Sequence, residues 1–372
     1  MKAHSSFGTF TAMSSRKGKD FKEEFLSLMA EYEATAGTRG DEILLRFHVS
    51  DIAHQGCIIR EILGERKTFI SIVGQASANG SRVALEAWSL PDTEGEIITD
   101  DGEMDSLQVK RGVYTLLFAS ARHLSCSGSH AQMDEEWKRV SSLLEAQGAS
   151  VECDLHRTWI YCRDVDNNYQ GLVVGRNEWF ASHGLTSDTH YISSTGIDGK
   201  MEDTTRIVGM DSFALWGAER EQVSYLNAPS FLSPTYIYGV AFERGTRICF
   251  GDGSLYFISG TASIDEYGDI VHPGDVSAQT RRILLNIDEL MKSGDGTIQD
   301  LKTACVYLRD VADAPLVEEV LANSPMAHVP RIYLCAPVCR PGWLVEIDGI
   351  AANNCGNPAF PSFGKWDTSI LL

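Results

Sequence analysis

Apolar runs of alternating β-branched and aromatic residues recur three times along the chain, and each closes on an aspartate. The runs are 44–53 (LLRFHVSDIA), 157–166 (RTWIYCRDVD) and 304–313 (ACVYLRDVAD). Their β-branched and aromatic residues favour strands, and Asp51, Asp164 and Asp310 suit the start of a turn. Ahead of each run, apolar residues fall at helical spacing. Phe21, Phe25, Leu28, Met29 and Tyr32 form one stripe, Trp137, Val140 and Leu144 a second, and Leu284, Ile287 and Met291 a third. Gly37, Gly148 and Gly294 follow these stripes where helix C-caps belong.

The flanks repeat as well. Segments 112–121 and 253–262 read as strands ahead of the second and third stripes. Shorter helices are expected at 55–64, 169–180 and 314–323, and closing strands at 82–88, 206–213 and 343–350. The common order is strands, helix, strand, helix, strands. It predicts an α+β fold of three tandem units, each a mixed sheet with two helices on one face. The expected units span 1–95, 96–216 and 217–352, followed by an irregular tail at 353–372. Residues 217–250 read as a loop or hairpin inserted into the third unit.

Composition narrows the function. The 372 residues include 32 Lys and Arg against 51 Asp and Glu, a formal charge of −19. Nucleic-acid affinity rests on phosphate neutralisation, so no nucleic-acid partner is expected. No apolar run reaches membrane-spanning length, and no membrane association is expected. The first residues lack the apolar core of a signal peptide. Nine scattered cysteines read as reduced thiols, which points to the cytoplasm.

The third unit resembles a known family. LYFISGTASIDEYGDIVHPGDVSAQTRRILLNIDELM, then VYLRDVAD, VPRI and LVEIDGIA, is similar to the Rid (YjgF/L-PSP) family of reactive-intermediate deaminases over about 100 residues, 253–351. RTWIY at 157–161, YQGLVVGR at 169–176, TGI at 195–197, HPGDVSAQ at 272–279 and LVEIDG at 344–349 resemble the chorismatase branch of that superfamily. Rid proteins are homotrimers, so the resemblance implies an intramolecular pseudo-trimer of Rid-like (chorismate-mutase-like) units, the first degenerate. It further implies a monomer or weak oligomer and clefts between neighbouring units. Rid deaminases act on imines and enamines, and chorismatases hydrolyse an enol ether to release pyruvate.

The resemblance assigns Arg331 as the carboxylate clamp and Glu346 as the group that handles water. Ala84 and Gly209 stand where Glu346 stands, so a single reactive cleft is expected, in the third unit. Ser259 and Gly260 match the pocket-lining strand end of Rid proteins. Arg157, Tyr169 and Arg176 match chorismatase segments of the second unit and would help hold a carboxylate. The chain departs from both patterns. Glu318 replaces a Rid asparagine, Arg331 replaces a small apolar residue of chorismatases, and their glycine-rich stretch is reduced to IDGK at 197–200.

The chemistry suits these residue types. A guanidinium grips a carboxylate through two parallel hydrogen bonds, and a buried carboxyl with a raised pKa can shuttle protons. Cys335 and Cys339 lack the further ligands of a zinc site, and His48, His123, His156 and His190 show no ligand spacing. No phosphate-binding loop is present, so neither metal nor cofactor is expected. The reading is a cofactor-free hydrolase of a small enamine, imine or enol-ether carboxylate. The alternative is a non-catalytic metabolite-binding or regulatory module. A ribonuclease role, attached to the L-PSP name, is opposed by the charge.

Overall fold

The computed structural model describes residues 1–36, 41–91, 93–96 and 102–364. Gly37 and the last part of the tail lie outside these. The first unit supplies β1 (Lys2–Ser5), β2 (Gly8–Ser14), α1 (Phe21–Ala36), β3 (Glu42–Val49), α2 (Ile52–Leu63), β4 (Phe69–Gly74), β5 (Ala76–Ser77) and β6 (Val83–Ser89). The second supplies β7 (Glu94–Glu96), β8 (Met104–Arg111), β9 (Tyr114–Ala121), α3 (Ser129–Ala146), α4 (Val151–Asp154), β10 (Leu155–Cys162), α5 (Val165–Ser182), β11 (Ser193–Asp198) and β12 (Val208–Trp216). The third supplies β13 (Val223–Tyr225), β14 (Gly245–Cys249), β15 (Ser254–Ala262), α6 (Val276–Lys292), β16 (Leu301–Leu308), α7 (Ala314–Ala322), β17 (Arg331–Cys335) and β18 (Val345–Asn353).

Three mixed sheets result, ordered β1-β2-β6-β3-β4, β11-β10-β12-β9-β8-β7 and β13-β14-β15-β18-β16-β17-β5. Each contains the same four-strand core, in which the aspartate-terminated strand lies between its closing strand and a parallel partner. That partner (β4, β11 or β17) is absent from the sequence reading. Each is short, and β11, reading SSTGID, carries none of the β-branched run that marks a strand. The third sheet also recruits β5 from the N-terminal segment.

The sheets face one another. Trp88 of β6 meets Phe118 of β9 and Phe213 of β12 with ring centroids 5.8 and 5.7 Å apart, and Phe213 meets Phe257 of β15 at 4.8 Å. The helices cover the opposite faces. Phe25, Tyr32 and Ile59 seal the first sheet, and Trp137, Leu144 and Trp179 the second. Each such side chain contributes roughly 1.5–3 kcal/mol on burial. The shared core is thus a sheet-to-sheet seam rather than three separate helix–sheet cores.

Gly148 has φ 76°, the left-handed conformation that a C-cap requires. Gly294 does not; the left-handed residue there is Asp295, with φ 58°. Gly294 is needed for space instead, because a Cβ would lie 2.5 Å from Leu226 Cδ2. The strand-closing aspartates also differ. Asp310 accepts a hydrogen bond from the Ala312 amide, whereas Asp51 and Asp164 leave their helices uncapped by side chain. Residues 217–250 are more than a hairpin: β14 extends the third sheet and the segment before it walls a cavity. The tail beyond β18 has no regular element up to residue 364, yet Phe363 is buried against Phe7 and Phe250. Among the described residues, no helix is long and apolar enough to cross a membrane.

Candidate active site

The cavity lies between the second and third sheets and holds about 350 Å³, the lower end of small-ligand sites. Its α5 wall depends on glycine. Cβ atoms at Gly171 and Gly175 would sit 2.2 Å from Ser129 Oγ and 2.6 Å from the His130 carbonyl, so α5 lies close against α3. Tyr169 and Arg176, seven residues apart and hence on one helix face, then both point into the cavity. Gly196 leaves room for the Tyr169 ring, 3.2 Å from where a Cβ would stand.

The opposite wall is β15 and β18. Pairing of these strands slips between Ile258 and Thr261, a bulge centred on Ser259 and Gly260. The Gly260 amide donates to Thr195 Oγ1 at 3.0 Å, and its α-carbon faces Glu346. Glu346 is 5% exposed and makes no hydrogen bond or ion pair among the described residues. Burial pushes its carboxyl up to about 8; the nearby Asp348 carboxylate adds to the rise, while Arg244 and Arg157 oppose it. The group is therefore held protonated at neutral pH, as the sequence reading expected of it.

Arg176 is the second unusual group. It is 1% exposed; Tyr169 bonds to it, but its Nε and Nη2 protons have no partner among the described residues. Burial lowers its pKa, yet a guanidinium stays charged at any ordinary pH. Two unpaired donors on a buried cation are costly unless an anion completes them. Trp343, also lining the cavity, leaves its indole N–H unpaired as well.

The sequence-predicted residues separate into two groups. Glu346, Gly260, Tyr169 and Arg176 line the cavity together. Arg331 does not. At the start of β17 it is consumed locally: Nη1 donates to the Met326 carbonyl at 2.8 Å and Nε to Tyr333 Oη at 2.7 Å. Ser259 is fully buried, donating to the Glu243 carbonyl at 2.6 Å and accepting from the Ser194 amide at 2.9 Å. Arg157 lies behind the wall, where Nη2 donates to Asp348 at 2.7 Å and to Thr195 Oγ1 at 2.5 Å. Ser259 therefore holds β15 against β11, Arg157 ties β10 and β11 to β18, and neither is among the residues that line the cavity.

Arg244 and Arg340 supply the cationic wall that Arg331 was expected to provide. Arg244 is fixed by donating Nε and Nη2 to the Ser233 carbonyl at 3.2 and 2.8 Å, and it lies 5.3 Å from the Phe242 ring centre. Arg340 rests between Tyr238 and Trp343, 4.7 and 5.0 Å from their ring centres. Sequence reasoning missed both. For Arg244 the available signal was that 217–250 occurs in only one unit, the one with the acid, and function concentrates in such loops; Arg340 carried no comparable signal.

The equivalent rungs of the other two sheets carry no carboxyl at this position. Strand register places Ala84 opposite His48, Gly209 opposite Tyr161 and Glu346 opposite Tyr307, the same rung of three sheets. A Cβ at Gly209 would fall 2.2 Å from Met201 Sδ, so a methionine fills that position.

A family model described as endoribonuclease L-PSP matches residues 247–353. The 3-aminoacrylate deaminase RutC of Acinetobacter baylyi is 32% identical over 99 residues, covering 26% of this chain and 79% of that protein. The 3-hydroxybenzoate synthase of Streptomyces hygroscopicus is 34% identical over 237 residues, covering 56% of this chain and 65% of that protein. A chorismatase of known crystal structure shares the fold, with a TM-score of 0.69 at 19% identity, over 94% of this chain and 100% of that one. The match to the deaminase, which covers 79% of that protein at 32% identity, means that the chain belongs to the Rid (YjgF/L-PSP) superfamily.

Proposed function

We propose that the protein is a cofactor-free enzyme that cleaves the enol ether of a small carboxylate with water, releasing a keto acid such as pyruvate. The observation that carries this reading is the pairing of a protonated, buried Glu346 with the unpaired donors of Arg176 across one cavity. Arg176 would grip a substrate carboxylate, with Arg244 and Arg340 supplying further positive charge. Glu346 would give its proton to the methylene carbon of the enol. Water adds to the resulting cationic carbon and returns a proton to Glu346, and the hemiketal so formed collapses to keto acid and alcohol. Such proton transfer contributes about 10²- to 10⁴-fold in rate.

An enol ether is favoured over an imine because Arg331, the clamp of the deaminase pattern, lies outside the cavity, while three other arginines line it. The 3-hydroxybenzoate synthase and chorismatase relatives support the same choice. The nine cysteines are all free thiols, which supports a reducing, cytoplasmic setting. The test is incubation with chorismate and with freshly generated 2-iminopropionate, following pyruvate. Release from chorismate that Glu346→Gln abolishes is the expected result. Unchanged release in that variant would overturn the mechanism, and inertness towards both substrates would leave a metabolite-binding module as the better reading.

A further inference from the structure

Three acids occupy one rung around the seam between the sheets. Glu86 lies opposite Arg46, Asp211 opposite Trp159, and Asp348 opposite Cys305. Two of them receive a guanidinium from a neighbouring sheet: Arg46 Nε reaches Asp211 at 2.9 Å and Arg157 Nη2 reaches Asp348 at 2.7 Å. The third interface is different. The third sheet presents Cys305 to Glu86, and the first sheet adds His48.

The protons at His48 can be placed. Gln75 Nε2 donates to the Asp198 carbonyl, which can only accept, so the Gln75 oxygen is the atom 2.8 Å from His48 Nδ1. Nδ1 therefore carries a proton, and Nε2 faces Glu86 Oε2, 3.2 Å away. One imidazole nitrogen, one carboxylate oxygen and one thiol sulfur thus converge, all three within 4.8 Å of one another.

We propose that His48, Glu86 and Cys305 form a zinc-type metal site that clasps the first sheet to the third. The 3.2 Å nitrogen–oxygen separation is close to the ~3.3 Å that bonds of about 2.0–2.1 Å subtend in a tetrahedron. The Gln75 oxygen on Nδ1 is the outer contact that fixes a ligating imidazole, and Arg46 at 3.3 Å likewise braces the ligating carboxylate. On binding, the Cys305 S–H bond breaks, its proton goes to water and a metal–sulfur bond forms; nothing is oxidised. A divalent ion plus a thiolate adds one positive charge, the same as the guanidinium at each of the other interfaces. His48 and Cys305 are buried and the Glu86 side chain is 12% exposed, which leaves a route in. The site shares no residue with the cavity and does not rest on the proposed activity.

The test uses the full chain expressed in minimal medium with zinc or cobalt and desalted without chelator. About one metal per chain is expected, with a thiolate-to-cobalt charge-transfer band and a lower melting temperature after chelation. Cys305→Ser should remove the band. His48→Gln, which keeps a side-chain amide in the polar cluster, should reduce bound metal at least tenfold and carries the test if the cysteine variant misfolds. A metal-free wild-type chain that melts at the same temperature with or without chelator would overturn the proposal in favour of a protonated His48 paired with Glu86. A band that survives Cys305→Ser would overturn the ligand assignment.

Discussion

A Cβ on Gly260 would lie 2.2 Å from Glu346 Oε1 and 3.2 Å from Thr195 Cγ2. The carboxyl thus occupies the volume that a side chain on the neighbouring strand would need. Gly260 cannot retreat, because its amide is tied to Thr195, which is itself bonded to Asp348 at 2.7 Å. Gly260→Ala should therefore push the carboxyl off its position and cost activity on the scale of losing the acid, about 10²- to 10⁴-fold. Overpacking of this kind costs about 1–3 kcal/mol, so the fold should survive with a lowered melting temperature. Pyruvate release and thermal melting on the same preparation check both; a fully active alanine variant would show that Glu346 is not the working acid.

Glu346 also makes stability depend on pH, with a sign opposite to most carboxylates. Its pKa rises from an ordinary 4.5 to about 8 in the folded chain, first because of burial. Between those values the folded chain holds a proton that the unfolded chain has lost, so stability falls as pH rises. Below the window both states are protonated, and above it both are ionised and the penalty is constant. Glu346→Gln removes this dependence. Its melting temperature should match wild type near pH 4.5, gain steadily up to pH 8 and then hold a constant lead. Wild-type kcat/KM should fall above pH 8, where the donor is lost. A pH-independent melting difference would contradict the buried, neutral carboxyl.

The repeat was legible because it is written in periodicity: alternating strands, helical stripes and closing aspartates are local signals. Glu346 and Gly260 followed from the resemblance of the third unit to the Rid family, and both line the cavity. What escaped has a physical cause in each case. Arg331 carries a clamp motif, but a guanidinium is spent on whatever acceptors stand nearest, and here the carbonyls of the preceding turn capture it. Arg157 and Ser259 match their motifs yet act between sheets, Arg157 on β11 and β18 and Ser259 on β11, a relation between distant segments that spacing does not encode. Arg244 sits in the segment that the other units lack, and Arg340 lies in the connection from β17 to β18, outside the motifs that carry the resemblance. The parallel strand β11 was missed because SSTGID has no β-branched run and is defined only by its pairing with β10.

Arg331 yields a prediction that separates motif from geometry. Its guanidinium holds the Met326, Val329 and Tyr333 oxygens, at 2.8, 3.2 and 2.7 Å. Arg331→Ala should remove these charge-assisted bonds and lower stability, each being worth about 1.5–3 kcal/mol at most. It should leave KM and kcat unchanged at temperatures well below melting. A large rise in KM without loss of stability would restore Arg331 as a substrate clamp.

Arg176 should behave in the opposite way. With Nε and Nη2 buried and unpaired, it lowers the stability of the empty protein, since a desolvated cation without partners is unfavourable. Arg176→Met keeps length and apolar bulk against Phe242 while removing the charge, so the substrate-free variant should melt at a higher temperature than wild type. The same change should weaken carboxylate binding. A charge-assisted hydrogen bond worth about 1.5–3 kcal/mol corresponds to about 10- to 150-fold in KM. Gained stability together with lost affinity marks a residue kept for its ligand. A purely structural arginine would lose stability on the same substitution and leave KM alone, so melting curves and saturation kinetics on one variant decide between the two roles.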